Sequence, residues 1–468
     1  MPDHKAGLTA DRRPVLDATE MARVEELAGG LGRSLWALAR KYRPSPEERL
    51  QDWLMFQMSK DMRLESRVLR FVDALAAMEF DVSGKHVQRL FREYFAGPFP
   101  GSPPVLRSVF SVARSRLLPA PVVRGLATAA TRAMARRFIA GKGTRDLQKT
   151  LAFLEKQCRY PSFDLLGEQV LSADEALRYK DGYLETIDCL ATHPWAGKRT
   201  RAGVPRLQVS VKASALTDNF NPLNPEGTLQ RVRGPLLEIA ERCRARGVGL
   251  TIDAEEFEYR ELTWRLFSRN FAAGPFGDWD GVGIAVQAYL QDAEDYVDSV
   301  IEFAEQRGVP FQVRLVKGAY WDYEVTVARE KGWPAPVFTD KSLTDLTYEN
   351  LLGTLVRQHR LVRVAAASHN IRCHAYAEAI RESQGMPPGA IEHQTLFRTA
   401  EGISRAVTGM GWENREYVPV GKLVPGMAYL VRRVLENASQ VGFLLRSRLG
   451  EDIADLLRPP QAPEPVPG

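Results

Sequence analysis

The period of the apolar positions changes along the chain, and the changes divide it. From Met1 to about Ala96 apolar residues recur at helical spacing, as in Trp53, Leu54 and Phe56 and again in Val68, Leu69, Phe71, Val72 and Leu75. Breaks at Gly29-Gly30, Pro44-Ser45-Pro46 and Gly97-Pro98-Phe99-Pro100-Gly101 separate these helices. Beyond Lys149, short apolar runs start near Ser162, Leu207, Val248, Val282, Phe311, Val362, Ile391 and Glu416. They lie roughly 25–50 residues apart and read as strands. Segments such as Pro235 to Arg244, Asp292 to Gln306 and Tyr348 to Gln358 read as helices between them. Eight strands alternating with helices over about 290 residues predict an α/β fold of the (β/α)8 barrel type. An open doubly wound sheet competes, but no G-x-G-x-x-G follows any of the runs.

The fifth run carries the chemistry most openly. Phe311 to Asp322 begins as a strand around Gln312 and Arg314, reaches Lys317 and breaks at Gly318 into Tyr320 and Trp321. An arginine on an otherwise apolar strand needs an anionic or electron-rich partner, because an unpaired buried charge is costly. Other runs also end in polar groups: Lys212, then Asp253 with Glu255 and Glu256, Gln287, His369-Asn370, and Tyr417. One such residue would be a helix cap or a satisfied turn. Six strands doing so predict a shared site at the carboxyl ends, where barrels place theirs. Further on, Tyr429, Arg432, Arg433 and Glu436 fall on one stripe at helical spacing. That stripe is either a solvated face or a bidentate grip for a carboxylate.

Composition narrows the class. The chain has 468 residues, 44% hydrophobic and 26% charged, which is ample material for a core. A net charge of +5 over that length is no footprint for nucleic acid. The four cysteines lie far apart with no C-x-x-C pair, against a zinc site and in keeping with reduced thiols in a cytoplasm. Neither a secretory leader nor a membrane span stands out, so a cytoplasmic protein is expected. Between Leu106 and Lys149 ten basic residues face a single acid, Asp146. A solvated helix face explains this more simply than a membrane-surface helix, which is kept as the second reading. The expected organisation is a helical arm over 1–100, a basic helical linker over 101–155, the barrel over 156–450 and a Pro-rich tail over 451–468.

Taken together, Val313 to Asp322, Ser210 to Leu216, Ile252 to Glu256, Ser368-His369-Asn370 and Ala428 to Asn437 resemble the flavin-dependent proline dehydrogenases. The resemblance is to the proline dehydrogenase half of bifunctional proline utilisation A proteins, and covers about Arg137 to Leu449. It implies a distorted (β/α)8 barrel with non-covalent FAD, oxidising L-proline to pyrroline-5-carboxylate and passing electrons to a membrane quinone. A peripheral place on the inner face of the membrane is one consequence, and a pyrroline-5-carboxylate/glutamate semialdehyde dehydrogenase is a candidate partner. No metal is implied. By the resemblance, Lys212, Arg432 and Arg433 hold the proline carboxylate, while Asp253, Leu396, Tyr417 and Tyr429 line the substrate pocket. Gln287, Arg314, Lys317, Gly318, Ala319, Trp321, Thr339, Lys341, His369, Asn370 and Glu436 contact FAD, and Glu168 gates the pocket against an arginine. Arg314, Lys212, Asp253, Arg432 and Arg433 are the catalytic set.

Two segments depart from the family pattern. Arg398 stands where a glycine usually opens the turn after the seventh strand, and Asp218 to Pro222 differs after the second. A flavin barrel acting on another cyclic imino acid therefore stays open. So does a methylenetetrahydrofolate reductase-like enzyme, which would leave the paired arginines without a role, and a barrel that binds without catalysing. No aldehyde dehydrogenase-like segment is seen, so the chain is read as either stand-alone or cut from a longer protein.

Overall fold

A computed structural model describes residues 17–59, 83–95, 119–141, 143–167, 170–421 and 451–462, together with isolated positions between 64 and 111. Eight parallel strands close into a barrel in chain order: β1 (Arg159–Leu165), β2 (Gln208–Val211), β3 (Gly249–Ile252), β4 (Val282–Gln287), β5 (Phe311–Val316), β6 (Val362–Ala367), β7 (Glu392–Leu396) and β8 (Asn414–Val420). Pairing of β1 with β8, Ser162 opposite Tyr417, completes the ring and rules out the open sheet.

Strand alternation sorts side chains between the lumen and the helical shell. On β5, Phe311, Val313 and Leu315 face outward into a continuous apolar core with the shell helices. Gln312 and Arg314 face inward. Near the amino ends the lumen is filled by a polar layer rather than by aliphatic residues. There Gln312 donates to Glu392 Oε1 at 3.0 Å and accepts from Gln208 at 2.7 Å, and Arg415 holds Glu392 through Nε at 2.8 Å. Gln312, Glu392 and Arg415 in this layer each have a charged or amide partner, which offsets the cost of taking them out of water.

The helix Thr144–Lys156 belongs physically to the barrel, because Leu147, Leu151 and Leu154 enter the main core. From sequence it fell in the linker. The arm helix Ala18–Ala39 is capped by Asp17, with Glu20 completing a capping box. Its buried face, Val24, Ala28, Gly32 and Leu35, lies on the barrel, with Leu35 packed against Ile371, Ile403 and Val407. Residues 451–457 do not behave as a free linker. The short helix Ile453–Leu456 brings Leu456 and Leu457 into the same cluster, and a Cβ on Gly32 would sit 2.6 Å from Leu457. Arg372 ties the three parts together. Its guanidinium donates to Glu349 at 2.8 and 2.7 Å, to Glu25 at 3.0 and 2.8 Å, and to the Leu457 carbonyl at 2.8 Å.

Within the basic stretch the helix Ala120–Phe138 leaves Val122 and Leu126 exposed. The side chains of residues 130–137, which include Arg132, Arg136 and Arg137, lie outside the described residues. No helix among the described residues is long and apolar enough to cross a membrane.

Candidate active site

Asp253 sits just past the end of β3 and is the hub of the lumen's upper layer. It accepts hydrogen bonds from Arg314 Nη1 at 2.6 Å, from Ser210 Oγ at 2.7 Å and from the Tyr417 hydroxyl at 2.6 Å. Arg314 Nη1 also donates to Ser210 Oγ at 2.8 Å and Nη2 to Ser162 Oγ at 3.1 Å, so β1, β2, β3 and β5 are joined across the lumen. The guanidinium lies 5.2 Å from the centre of the Tyr417 ring, within cation–π range. Lys212 donates to Asp164 Oδ1 at 2.7 Å and to the Tyr417 hydroxyl at 3.3 Å, with Asp253 Oδ2 3.7 Å away.

Two cations and two carboxylates thus share one buried volume. Burial pushes the Asp164 carboxyl up, the Lys212 ammonium opposes that, and neighbouring Asp253 adds to it, leaving the group at about 6. Next to the cluster, burial pushes Glu255 up to about 7, although Ser214 donates to it through its N–H at 3.2 Å and through its hydroxyl. The Glu255 carbonyl in turn accepts from Gln287 Nε2 at 3.1 Å.

Above this layer opens a cavity of about 230 Å³. Its wall contains Lys212, Asp253, Gln287, Arg314, Lys317, Gly318, Ala319, His369, Leu396 and Tyr417, all named from sequence. Gly318 is required where it stands: its φ is +131° and a Cβ would lie 2.3 Å from the Tyr289 ring. Lys317 donates to Asp345, which also accepts from Lys341 Nζ at 2.6 Å, and covers the Tyr348 ring at 5.6 Å. Burial pushes His369 down to about 4, so the ring is neutral. Its Nε2 accepts the Leu396 N–H at 3.0 Å. The proton is therefore on Nδ1, which makes that atom a donor toward a ligand.

Four residues named from sequence stand outside this wall. Trp321 Nε1 donates to the Phe338 carbonyl at 2.8 Å. Thr339 is exposed, Lys341 is occupied by Asp345, and Asn370 caps the next helix through the Arg372 N–H at 2.9 Å. Glu168, Tyr429, Arg432, Arg433 and Glu436 lie outside the described residues. Sequence reasoning missed Ser162, Asp164 and Ser210. Parity alone places Asp164 and Ser162 on the lumen side of β1 and Ser210 on that of Lys212, but it does not mark them as site residues until the ring closes.

The turn after β7 is made without glycine. Arg398 itself adopts φ +53°, with its guanidinium 4.5 Å from the centre of the Phe153 ring and 5.1 Å from that of Phe397. Leu396 therefore still reaches the cavity.

A closed parallel barrel with a charged, donor-rich cavity at the carboxyl ends of its strands defines a barrel enzyme. The chain belongs to the proline dehydrogenase family: the family model described as proline dehydrogenase matches residues 147–446. A second model, the proline utilization A N-terminal domain, matches residues 25–138. The bifunctional protein PutA of Salmonella typhimurium is 30% identical over 335 residues, covering 70% of this chain and 25% of that protein. Proline dehydrogenase 1 of Bacillus subtilis is 26% identical over 319 residues, covering 68% of this chain and 92% of that one. The crystal structure of PutA from Bdellovibrio bacteriovorus inactivated by N-propargylglycine superposes with a TM-score of 0.83 at 31% identity, over 95% of this chain and 45% of that one. The chain thus spans about a quarter of the PutA sequence from Salmonella typhimurium.

Proposed function

We propose that the protein oxidises L-proline to pyrroline-5-carboxylate with a bound FAD, and that a quinone in the membrane takes the electrons. The observation that carries this reading is the Asp253-centred cluster of Arg314, Lys212 and Tyr417 beneath a cavity lined by further donors. The wall suits an acceptor-rich ring system. Arg314 Nε is buried without a partner among the described residues, and the Nδ1 proton of His369 is available. Arg314, Lys317, Gln287 and His369 would hold the cofactor here. By the resemblance, Trp321, Thr339, Lys341, Asn370 and Glu436 extend that contact. When bound, FAD supplies the hydride acceptor; the rest of the task is positioning.

The protein's own residues do that positioning. The Lys212 ammonium, fixed by Asp164, offers charge to the substrate carboxylate, and Arg432 and Arg433 complete the grip. Asp253 and Tyr417 border the space beside Lys212 and suit the cationic ring nitrogen of an imino acid. Arg314, held in place by Ser162, Ser210 and Asp253, keeps positive charge beneath the cavity where negative charge develops. The product is an imine whose hydrolysis gives a semialdehyde, so a dehydrogenase acting on it is the natural partner.

Purified protein should be yellow, and acid precipitation should release FAD into the supernatant. L-proline should then reduce a soluble quinone in a flavin-dependent assay. A flavin retained on the pellet would refute non-covalent binding. Turnover with 4-hydroxyproline but not proline would move the reading to another cyclic imino acid.

A further inference from the structure

Behind the wall that carries His369 lies a second set of titratable groups which the reaction does not touch. His374 and Glu378, one turn apart on the helix Ile371–Ser383, face His393, the outward residue of β7, and all three are fully buried. His374 Nε2 is 2.9 Å from the Ser368 carbonyl, and His374 Nδ1 is 3.1 Å from His393 Nδ1. His393 Nε2 is 3.1 Å from Glu378 Oε1, while Arg381 Nε donates to Glu378 Oε2 at 2.6 Å. Trp412 stacks on the His393 ring at 5.1 Å between centroids.

These contacts fix the protons. A carbonyl only accepts, so His374 carries its hydrogen on Nε2. Burial, together with neighbouring His393, holds His374 well below its ordinary pKa, with His369 and Lys317 acting in the same direction. The ring is thus neutral and its Nδ1 is an acceptor, so His393 Nδ1 must donate. Burial pulls the Glu378 carboxyl up, but His393 and Arg381 outweigh it and hold the group low, as a carboxylate. A proton therefore also lies between His393 Nε2 and Glu378 Oε1, with the Trp412 face alongside the ring.

We propose that Glu378, His393 and His374 form a positioning chain for the cofactor-facing wall, in which the proton-bridged His393–Glu378 pair donates from His393 Nδ1 to His374 and so locks the Ser368 carbonyl. Ser368 is tied on its other side, through its N–H, to the Gln394 carbonyl at 3.1 Å, and its hydroxyl accepts the Asn370 N–H at 3.0 Å. With Ser368 locked and Leu396 holding Nε2, His369 has one orientation, Nδ1–H toward the cavity. Charge in the chain strengthens each bond along it, as expected in a low-dielectric interior. The role rests on the cavity being the FAD site, as proposed above.

Two measurements on the full-length holoprotein test this. Long-range proton–nitrogen spectra with labelled histidine should show a ring besides His369 whose Nδ1 carries a hydrogen-bonded proton, lost in H393N. They should also show one neutral Nε2–H ring, lost in H374F. Second, H374F and E378Q should weaken FAD binding about tenfold while leaving the proline KM within twofold. H374Q, which can still donate to the Ser368 carbonyl, should restore FAD affinity. A His393 ring without a proton on Nδ1 would overturn the proposal even if H374F fails to fold, and parent-like FAD affinity in folded H374F would do the same. Absence of proline-dependent reduction in the parent would instead count against the proposed reaction and leave the histidine spectra unaffected.

Discussion

Replacing Asp253 with asparagine strikes the hub without changing its size. The amide oxygen can still accept from Ser210 and Arg314, which lie 2.7 and 2.6 Å from Oδ1. The amide nitrogen, however, replaces the oxygen that accepts from Tyr417 at 2.6 Å and faces Lys212 at 3.7 Å. A hydrogen bond to a charged group is worth about 1.5–3 kcal/mol against about 0.5–1.5 kcal/mol for a neutral one. Downgrading the Arg314 bond and losing the charged acceptor of Tyr417 therefore costs about 1–2 kcal/mol each. Together they amount to about 3 kcal/mol, or roughly a hundredfold in kcat/KM. Steady-state kinetics with L-proline on protein of matched flavin content measures this directly. Because Arg314 would stay buried with a neutral amide in place of its carboxylate partner, denaturant unfolding should show a parallel loss of stability. A variant within threefold of the parent in kcat/KM would refute the assignment of Asp253 as the hub.

Four further outcomes are expected. Asp164 sits at about 6 rather than the usual 3.8, so the folded state holds this proton more tightly than the unfolded one. The associated stability, about 3 kcal/mol at about 1.36 kcal/mol per pH unit, is present below pH 4 and is lost as pH rises through 6. D164N lacks this dependence, so its stability relative to the parent should improve between pH 4 and 7; a pH-independent difference in urea unfolding would contradict that. Arg372→Leu strands the buried Glu349 and releases Glu25. It should cost about 3–5 kcal/mol and open the arm to limited proteolysis; an arm as resistant as the parent's would argue against the staple. Arg398→Gly relieves a left-handed residue but loses two ring contacts. Stability should change by less than about 1 kcal/mol and the proline KM should hold; a large rise in KM would mean that Arg398 contributes to the site. On the proposed carboxylate role of Arg433, Arg433→Met should raise the proline KM roughly ten- to a hundredfold with normal flavin content, the loss expected of one charge-assisted bond. An unchanged KM would return Arg433 to a solvated face.

The barrel was legible in the sequence because its strands are bounded runs of fixed period. Phe311 to Val316 and Val282 to Gln287 start where the pattern changes. Polar residues at strand ends pointed to Lys212, Asp253, Arg314, His369 and Tyr417, since apolar strands have no structural need of them. Asp164 was not legible: it sits within β1, where one acid in Ser162-Phe163-Asp164-Leu165 resembles ordinary alternation until the ring closes and brings Lys212 within 2.7 Å. The same holds for Ser162 and Ser210, whose hydroxyls gain meaning only across the lumen. Thr339 and Asn370 were named by motif, yet their places are set by the turns and caps around them rather than by the cavity. The docking of residues 451–457 was hidden because two leucines before a proline-rich run carry no periodicity.

Whether L-proline reduces a flavin bound to this protein is read by anaerobic titration with L-proline, followed at the flavin absorbance bands. Proline should bleach the bands saturably, pyrrolidine, which lacks the carboxylate, at least tenfold more weakly, and NADPH not at all. A flavin that proline leaves oxidised while NADPH or another imino acid bleaches it would rule out L-proline as the substrate.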